Sequence, residues 1–216
     1  MARIRHPKGR RDRAAAGVSG ACDAAGMDER AFWALMGGLR DRPGRREERL
    51  DWLREELTRA SFAGCAGFQV QLEQACHRAY RSPVWSAAER ILGGWCSDDS
   101  FHYFRLWLVA LGREVFEEAL MRPDSLAGVP EVRRLAGRSR SSWCETEEWP
   151  DWEDLDYVAV EAYGALAGGS QAFHELVTNG HGDRLPDPEA PPYEEPLEAD
   201  DLPRLAALFP VRPPSV

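Results

Sequence analysis

The chain has 216 residues, of which 44% are hydrophobic and eight are tryptophan, and this is enough for one domain with a buried core. No stretch approaches the roughly 18 to 20 consecutive apolar residues that a membrane-spanning helix needs. The first 26 residues are rich in arginine and lack the apolar segment of a secretory signal peptide. The sequence therefore predicts a cytoplasmic protein without a membrane partner.

The cysteines indicate neither a disulfide framework nor a zinc site. There are five of them, they are widely spaced, and none forms a C-x-x-C pair, whereas disulfide and zinc motifs use paired or closely spaced residues. Cys76 lies on an apolar helical stripe and is interpreted as a small hydrophobic residue. The cysteines are Cys22, Cys65, Cys76, Cys96 and Cys144.

Charge is distributed unevenly along the chain. The formal net charge is −9, but residues 1–26 carry six basic and two acidic side chains, and residues 141–201 carry seventeen acids and one base, Arg184. Binding to a nucleic-acid backbone depends on Lys and Arg replacing counterions. The acidic body is therefore not expected to bind nucleic acid, and only the basic leader has the charge for it.

Composition divides the chain into three parts. Residues 1–26 lack apolar periodicity and are predicted to be a disordered basic leader. Residues 27–169 are predicted to form a helical domain. Residues 170–216 are predicted to be an acidic, Pro-rich tail with a short docking helix near 202–208.

Apolar residues recur at helical spacing along the predicted domain. The first helix begins after Asp28, which can cap it, and carries Phe32 and Trp33 on its apolar face. From Gly128 to Pro150 the pattern is broken apart from one short helix, and Asp151 and Asp154 then indicate the acidic first turn of another helix. The predicted helices that follow the first cover about residues 45–60, 66–80, 83–92, 99–111, 113–121, 131–135 and 151–167.

The segment 99–111 is apolar on nearly every side. Phe101, Phe104 and Leu108 share one face, and Trp107 belongs to a second apolar face. A helix of this kind is typical of the centre of a bundle. Alternating β-branched residues are lacking, so the predicted fold is all-α, an irregular multi-helix bundle with this helix buried at its centre.

Two sequence blocks resemble a known family. They are MDERAFWALM at residues 27–36 and WCSDDSFHYFRLWLVALGREVFEEAL at residues 95–120, followed by PDSL. The chain resembles a bacterial family of unknown function that is found alone or fused beside WGR modules, where some proteins carry the name of molybdenum-metabolism regulators. The resemblance implies a compact helical domain in bacteria, and it brings no activity that can be assigned to particular residues.

Polar residues on the central helix form one candidate binding site. Asp98, His102 and Arg105 are spaced i, i+4 and i+7, so they share a stripe. One interpretation is a small pocket in which arginines hold an anion. The other, which we favour, is helix capping with an internal network in which Arg105 pairs with Asp98, Asp99 or an acid of another helix. The six candidate residues are Asp98, Asp99, His102, Tyr103, Arg105 and Arg113.

Catalytic and metal sites are weakly indicated by the sequence. A metal site would recruit Cys96, Asp98 and His102, with His174 or His181, but the spacing matches no zinc motif. A nucleophilic site with Cys96 or Ser97 would use His102 and Asp99, without a nucleophile elbow. No Gly-rich phosphate loop is present. The sequence therefore predicts no metal, no cofactor and no assigned catalytic residue.

A stretch of tryptophans and acids, SSWCETEEWPDWEDLDY at residues 141–157, has two interpretations. It can be a docking surface for a basic partner or for the chain's own Arg-rich leader. Alternatively, Trp149 and Trp152 pack against the core while the acids are solvated, and this is the interpretation that the apolar spacing favours for Trp152. Trp143 fits either interpretation.

These observations favour a non-catalytic function. The leading hypothesis is a binding or regulatory module for a protein, a peptide or a small anionic ligand. The alternative is a small enzyme that uses Asp98, Asp99, His102 and Arg105 for acid–base or anion-binding chemistry. A bound metal or a strongly perturbed carboxylate in a deep pocket would favour the enzyme, and a filled interior around Arg105 would favour the module.

Overall fold

The computed structural model describes residues 26–144, 147–181 and 201–210. Within these ranges the chain is all-α, without a β-strand, and the predicted fold class is confirmed. The predicted leader lies outside the described residues except for Gly26. The α-helices are α1 (Glu29–Asp41), α2 (Arg46–Arg59), α3 (Phe62–Arg78), α4 (Ser82–Ile91), α5 (Asp98–Ala110), α6 (Arg113–Met121), α7 (Pro130–Leu135), α8 (Val158–Ala167), α9 (Phe173–His181) and α10 (Pro203–Leu208).

Shorter 3-10 helices connect several of the α-helices. They span Pro123–Gly128, Arg140–Ser142 and Glu153–Asp156. The longest described helix, α3, has 17 residues. In the described ranges no helix combines the length and the apolar character needed to cross a bilayer.

The central position of α5 is confirmed. Phe101 and Phe104 are fully buried and Trp107 is 3% exposed. The helix contacts α1, α3, α4 and α6, so apolar residues are needed on most of its sides. Gly112, at φ 89°, makes the turn into α6 in a conformation that strains residues with a β-carbon.

Side-chain caps define where the first and fifth α-helices begin. The Asp28 carboxylate accepts a hydrogen bond from the backbone N–H of Ala31 at 2.7 Å, as the sequence predicted. The Ser97 hydroxyl accepts one from the N–H of Ser100 at 3.2 Å. Each cap satisfies a backbone donor that has no partner within its own helix.

Two predicted helix boundaries are wrong. Helix α3 begins four residues before Ala66, because the Ser61 hydroxyl accepts a hydrogen bond from the N–H of Gly64 and caps the helix there. The predicted helix 151–167 is instead an extended segment, the 3-10 helix Glu153–Asp156 and then α8. The N–H of Trp152 donates to the carbonyl of Tyr103 on α5 at 3.1 Å, so this backbone is used in a tertiary contact.

Two described helices belong to the segment that was predicted as the tail. Helix α9 packs on α3 and extends to His181, within residues that were predicted as the acidic, Pro-rich tail. Helix α10 has no cap of its own side chains, and the Asp124 carboxylate accepts hydrogen bonds from the N–H groups of Arg204 and Leu205 at 3.1 and 2.8 Å. Leu205 is fully buried. The domain boundary at residue 169 stays a prediction.

Candidate functional site

The structure separates the six predicted site residues. Asp98 and Asp99 are exposed at the beginning of α5, where their negative charge faces the positive end of the helix dipole. Arg105 lies seven residues further along, about 10 Å along the helix axis, which is too far for an ion pair with Asp98. The predicted pairing of Arg105 with either aspartate is therefore wrong.

Arg105 is held by carbonyl groups and aromatic rings. Its guanidinium donates to the carbonyl of Cys76, near the end of α3, at 3.0 Å and to that of Phe101 at 3.4 Å. It also lies over the rings of Tyr80 and Phe101, 4.9 and 5.2 Å from their centroids. Burial lowers its pKa. Among the described residues no carboxylate lies within ion-pair distance of the Arg105 guanidinium. The carbonyls and aromatic rings occupy the space around its charge.

His102 connects Arg105 to an acid of another element. Arg105 approaches His102 Nδ1 at 3.4 Å, and His102 Nε2 lies 3.1 Å from Asp156 Oδ2. With an arginine donor at Nδ1, the proton of the neutral ring belongs on Nε2, where it is donated to Asp156. Both ring nitrogens are therefore engaged.

The contacts of Asp156 extend this chain of polar groups to α9. Gln69 Nε2 lies 3.5 Å from Asp156 Oδ1 and 2.9 Å from Glu73 Oε1. The second oxygen of Glu73 contacts His181 Nε2. We call this series the polar row; it contains Arg105, His102, Asp156, Gln69, Glu73 and His181. It joins α5, α3, α9 and the 3-10 helix Glu153–Asp156, which supports the internal-network interpretation.

Arg113 lies in a different place from Arg105. Its guanidinium donates to Glu29 Oε1 at 3.2 Å, and both side chains border a cleft of about 550 Å³ between α1, α3 and α6. A second pair across this cleft joins Arg78 to Glu117 at 2.6 Å. Arg105 does not line this cleft, so the two arginines do not form the predicted shared anion pocket.

The thiol of Cys96 is not suited to nucleophilic chemistry. It is buried, and burial raises its pKa to about 12, so the reactive thiolate is disfavoured at neutral pH. His174 is exposed on α9, and His181 belongs to the polar row. No three His, Cys, Asp or Glu side chains of the described residues are grouped as a metal site would require.

A charged groove lies between α2 and the segment that precedes α8. Its volume is about 810 Å³, and we call it the acidic groove. Its walls carry seven carboxylates and three guanidinium groups, so their formal net charge is −4. The carboxylates are Glu47, Asp51, Glu147, Asp151, Glu153, Asp154 and Glu161, and the guanidinium groups are those of Arg45, Arg46 and Arg54.

Two of the groove's arginines are committed to structural contacts. Arg54 pairs with Asp51 at 2.5 Å and with Glu161 at 2.7 Å. Arg46 donates to the carbonyls of Trp149 and Asp151, each at 2.7 Å, and burial lowers its pKa. These contacts join α2 to α8 and to the loop before it, so they stabilise the groove's shape.

Among the described residues, four carboxylates of the groove lack a cationic partner, and one of them, Glu147, accepts hydrogen bonds from the backbone N–H of Arg46. In the described part of the chain, the other three, Glu47, Glu153 and Asp154, take part in no ion pair. Glu153 Oε1 instead accepts a hydrogen bond from the Tyr103 hydroxyl at 3.0 Å, which raises the pKa of Tyr103. Tyr157, which is 47% exposed, also lines the groove. Of the six predicted residues, Tyr103 is the one bonded to this site.

Aromatic residues show how the groove accommodates arginine. Trp152 is 4% exposed, which confirms its predicted core position. The guanidinium groups of Arg46 and Arg49 lie 5.4 and 5.0 Å from the centroid of its ring. Trp143 is also buried and packs edge-on against Trp149 at 5.5 Å. Stacking of guanidinium on aromatic faces is favourable, and Tyr157 offers an exposed face of this kind.

The second wall of the groove was missed by the sequence analysis. On α2, Glu47 and Asp51 alternate with arginines, a pattern that resembles a solvated helix face. Their spacing of i, i+4 places both on one side. The signal that could have found them is the presence of two acids one helical turn apart on that side.

An acid outside the groove allows a test of pH dependence. The Glu148 carboxylate accepts hydrogen bonds from Arg138 at 2.6 and 2.9 Å and from the N–H of Cys144 at 2.8 Å. The Arg138 contact and then the backbone contact lower its pKa from 4.5 to about 2. A carboxylate with a lowered pKa adds stability that is present above its unfolded pKa and lost as the pH falls through its folded pKa.

We therefore expect Glu148→Gln to destabilise the protein at pH 7, with the difference from the parent shrinking between about pH 4.5 and pH 2. Urea unfolding at several pH values measures this. Asp41→Asn, an exposed change at the end of α1, should give a curve parallel to the parent's. If the difference in free energy of unfolding between Glu148→Gln and the parent stays constant over this range, the lowered pKa of Glu148 would be contradicted.

The fold and the site define a class, an all-α domain with a charged groove beside its second helix. Residues 27–165 match the family described as protein of unknown function (DUF4240), and the chain belongs to that family. No curated protein and no solved structure matches the chain. The family description carries no activity, so the function must be argued from the groove.

Proposed function

We propose that the protein is a non-catalytic binding module that recognises an Arg- or Lys-rich segment of a protein partner in the acidic groove. One observation carries the proposal: among the described residues, four carboxylates of the groove lack a cationic partner, and three of them, Glu47, Glu153 and Asp154, also accept no backbone hydrogen bond. A basic segment supplies the missing cations, and its guanidinium groups can stack on the exposed ring of Tyr157.

Complementary charge has two consequences for such binding. It steers a basic partner towards the groove and excludes acidic ones. It also makes the affinity depend on ionic strength, because exposed charges are screened over about 10 Å at 0.1 M salt. The partner should therefore be bound more weakly as salt is added.

The other ligand classes fit the described geometry less well. A small anion would need free cationic groups, whereas Arg105 is surrounded by carbonyls and rings and Arg113 is paired with Glu29. Acid–base catalysis by His102 would need a free ring nitrogen, and both are engaged. The association with WGR modules that the resemblance implies would suit a protein-binding domain; it stays a prediction.

Removing three of the unpaired carboxylates should weaken binding of a basic probe. We expect Glu47→Gln, Glu153→Gln and Asp154→Asn, combined in one variant, to raise the Kd of fluorescein-labelled nona-arginine about tenfold, since each lost contact contributes several tenths of a kcal/mol. Fluorescence anisotropy at low ionic strength measures the Kd.

A matched variant separates the groove from net charge alone. Asp41→Asn, Glu114→Gln and Glu175→Gln remove three exposed acids on α1, α6 and α9, and this variant should bind the probe like the parent. Equal weakening of both variants would show that the probe senses only net charge. Absence of binding to the parent would contradict the proposed function.

A further inference from the structure

The strongest basic segment in the chain is its own beginning. Residues 3–13 carry six basic side chains and one acid, Asp12, for a formal charge of +5 with His6 neutral. The walls of the acidic groove carry −4. We propose that residues 3–13 are the intramolecular occupant of the acidic groove and compete there with an outside partner. This inference rests on the proposed function, because it names the partner of the same groove.

The structure shows where the segment joins the folded domain. Gly26 and Met27 cross α3 at Gly67, where a β-carbon would clash with the backbone nitrogen of Met27. Met27 is partly buried and packs against the core. The path of the chain is therefore fixed at α3. Helix α3 packs against α8, and α8 packs against α2, which forms one wall of the groove.

The connecting residues are long enough to reach the groove. Residues 14–25 can span about 40 Å when extended. Neighbouring packed helices lie about 8 to 10 Å apart, so the step from α3 across α8 to α2 is about 20 Å. The reach exceeds this separation about twofold, so occupancy requires no change of the folded domain.

Tethering makes a weak interaction effective. A segment on a short connection acts at an effective concentration in the millimolar range. If the segment binds the groove with a Kd of about 0.1 mM, it leaves the groove free in about one tenth of the molecules. The apparent Kd of an outside ligand then rises about tenfold. Only a partner that binds more tightly, or that carries more positive charge, therefore displaces the basic segment from the groove.

The competition can be measured on the full chain. Arg10→Gln, Arg11→Gln and Arg13→Gln, combined in one variant, should bind fluorescein-labelled nona-arginine about tenfold more tightly than the parent. The matched variant Arg30→Gln, Arg133→Gln and Arg134→Gln removes three exposed arginines of α1 and α7 and has the same net charge. It should bind like the parent, so an equal gain in both variants would contradict the inference.

Lys8 allows a direct test of contact, because it is the single lysine of the chain. A carbodiimide joins its amine to a nearby carboxylate as an amide and takes up the water released. Mass spectrometry of the monomer at low ionic strength should place the cross-link at Glu47, Glu153 or Asp154, and high salt should abolish it. Cross-links spread equally over Glu114 and Glu175 would contradict the inference.

The two measurements distinguish failure of the inference from failure of the proposed function. Equal probe binding by the parent and both arginine variants, with scattered cross-links, would overturn the intramolecular occupant and leave a groove that binds outside partners. Cross-links confined to the groove without any probe binding would support the occupant and contradict the proposed function.

Discussion

Replacing Trp107 with alanine is expected to lower the free energy of unfolding by about 3 to 5 kcal/mol, because it leaves a cavity that the surrounding helices fill only in part. Trp107 is 3% exposed and its ring packs against Phe104 at a centroid distance of 5.3 Å. It lies on α5, which contacts four other α-helices and the 3-10 helix Glu153–Asp156, so few neighbours are free to move into the space.

The measurement is urea unfolding followed by circular dichroism, with Trp95→Ala as the control. Trp95 is 65% exposed, so its removal should change the free energy of unfolding by no more than about 0.5 kcal/mol. A Trp107→Ala protein that unfolds at the same urea concentration as the parent would show that α5 is not at the centre of the fold.

Replacing Arg105 with methionine is expected to cost about 3 kcal/mol. The change leaves the carbonyl of Cys76 and Nδ1 of His102 without their donor, and a hydrogen bond to a charged group contributes about 1.5 to 3 kcal/mol. It also removes the contacts with the faces of Tyr80 and Phe101. Methionine fills a similar volume, so the loss reports on polar contacts more than on packing.

Arg113→Met is the matched control for Arg105→Met. Arg113 and Glu29 are about half exposed, and an ion pair of this kind contributes at most about 1 kcal/mol. The measurement is the melting temperature of both variants and the parent, with and without phosphate and carboxylate metabolites. It distinguishes a structural role of Arg105 from an anion-binding role. Two results together would support the anion-pocket interpretation instead. One of these anions would have to stabilise the parent, and Arg105→Met would have to be as stable as the parent while no longer being stabilised by that anion.

Local patterns in the sequence account for most of the helical architecture. The apolar spacing of α5 and the cap at Asp28 are properties of neighbouring residues, and both are present in the structure. The buried position of Trp107 follows from a helix that is apolar on nearly every side. Such features are determined within a few turns, so the sequence predicts them.

The errors arise where tertiary contacts determine the backbone. The segment before α8 has helical spacing, yet its Trp152 N–H is bonded to Tyr103 on α5. The polar row depends on Gln69 and Glu73 of α3, which are distant in sequence from His181. Arg105 was expected to pair with Asp98, Asp99 or an acid of another helix, but packing brings the carbonyl of Cys76 to it instead.

The stretch of tryptophans and acids at residues 141–157 supplies one wall of the acidic groove. A docking surface for a basic partner was one of the two interpretations of this stretch, and it stays a prediction. The opposite wall is the acidic side of α2, about one hundred residues earlier in the chain. Long-range packing of this kind cannot be deduced from the spacing of residues within either segment.

Hydrogen exchange with and without nona-arginine is the most direct test of the acidic groove as the binding surface. The probe should slow exchange of backbone amides in residues 45–54 and 151–157, because these segments form the two walls. Exchange in α4 and α7, which contribute no residue to the groove, should be unchanged. Protection that appears in α4 or α7 and spares the groove would contradict the proposed function.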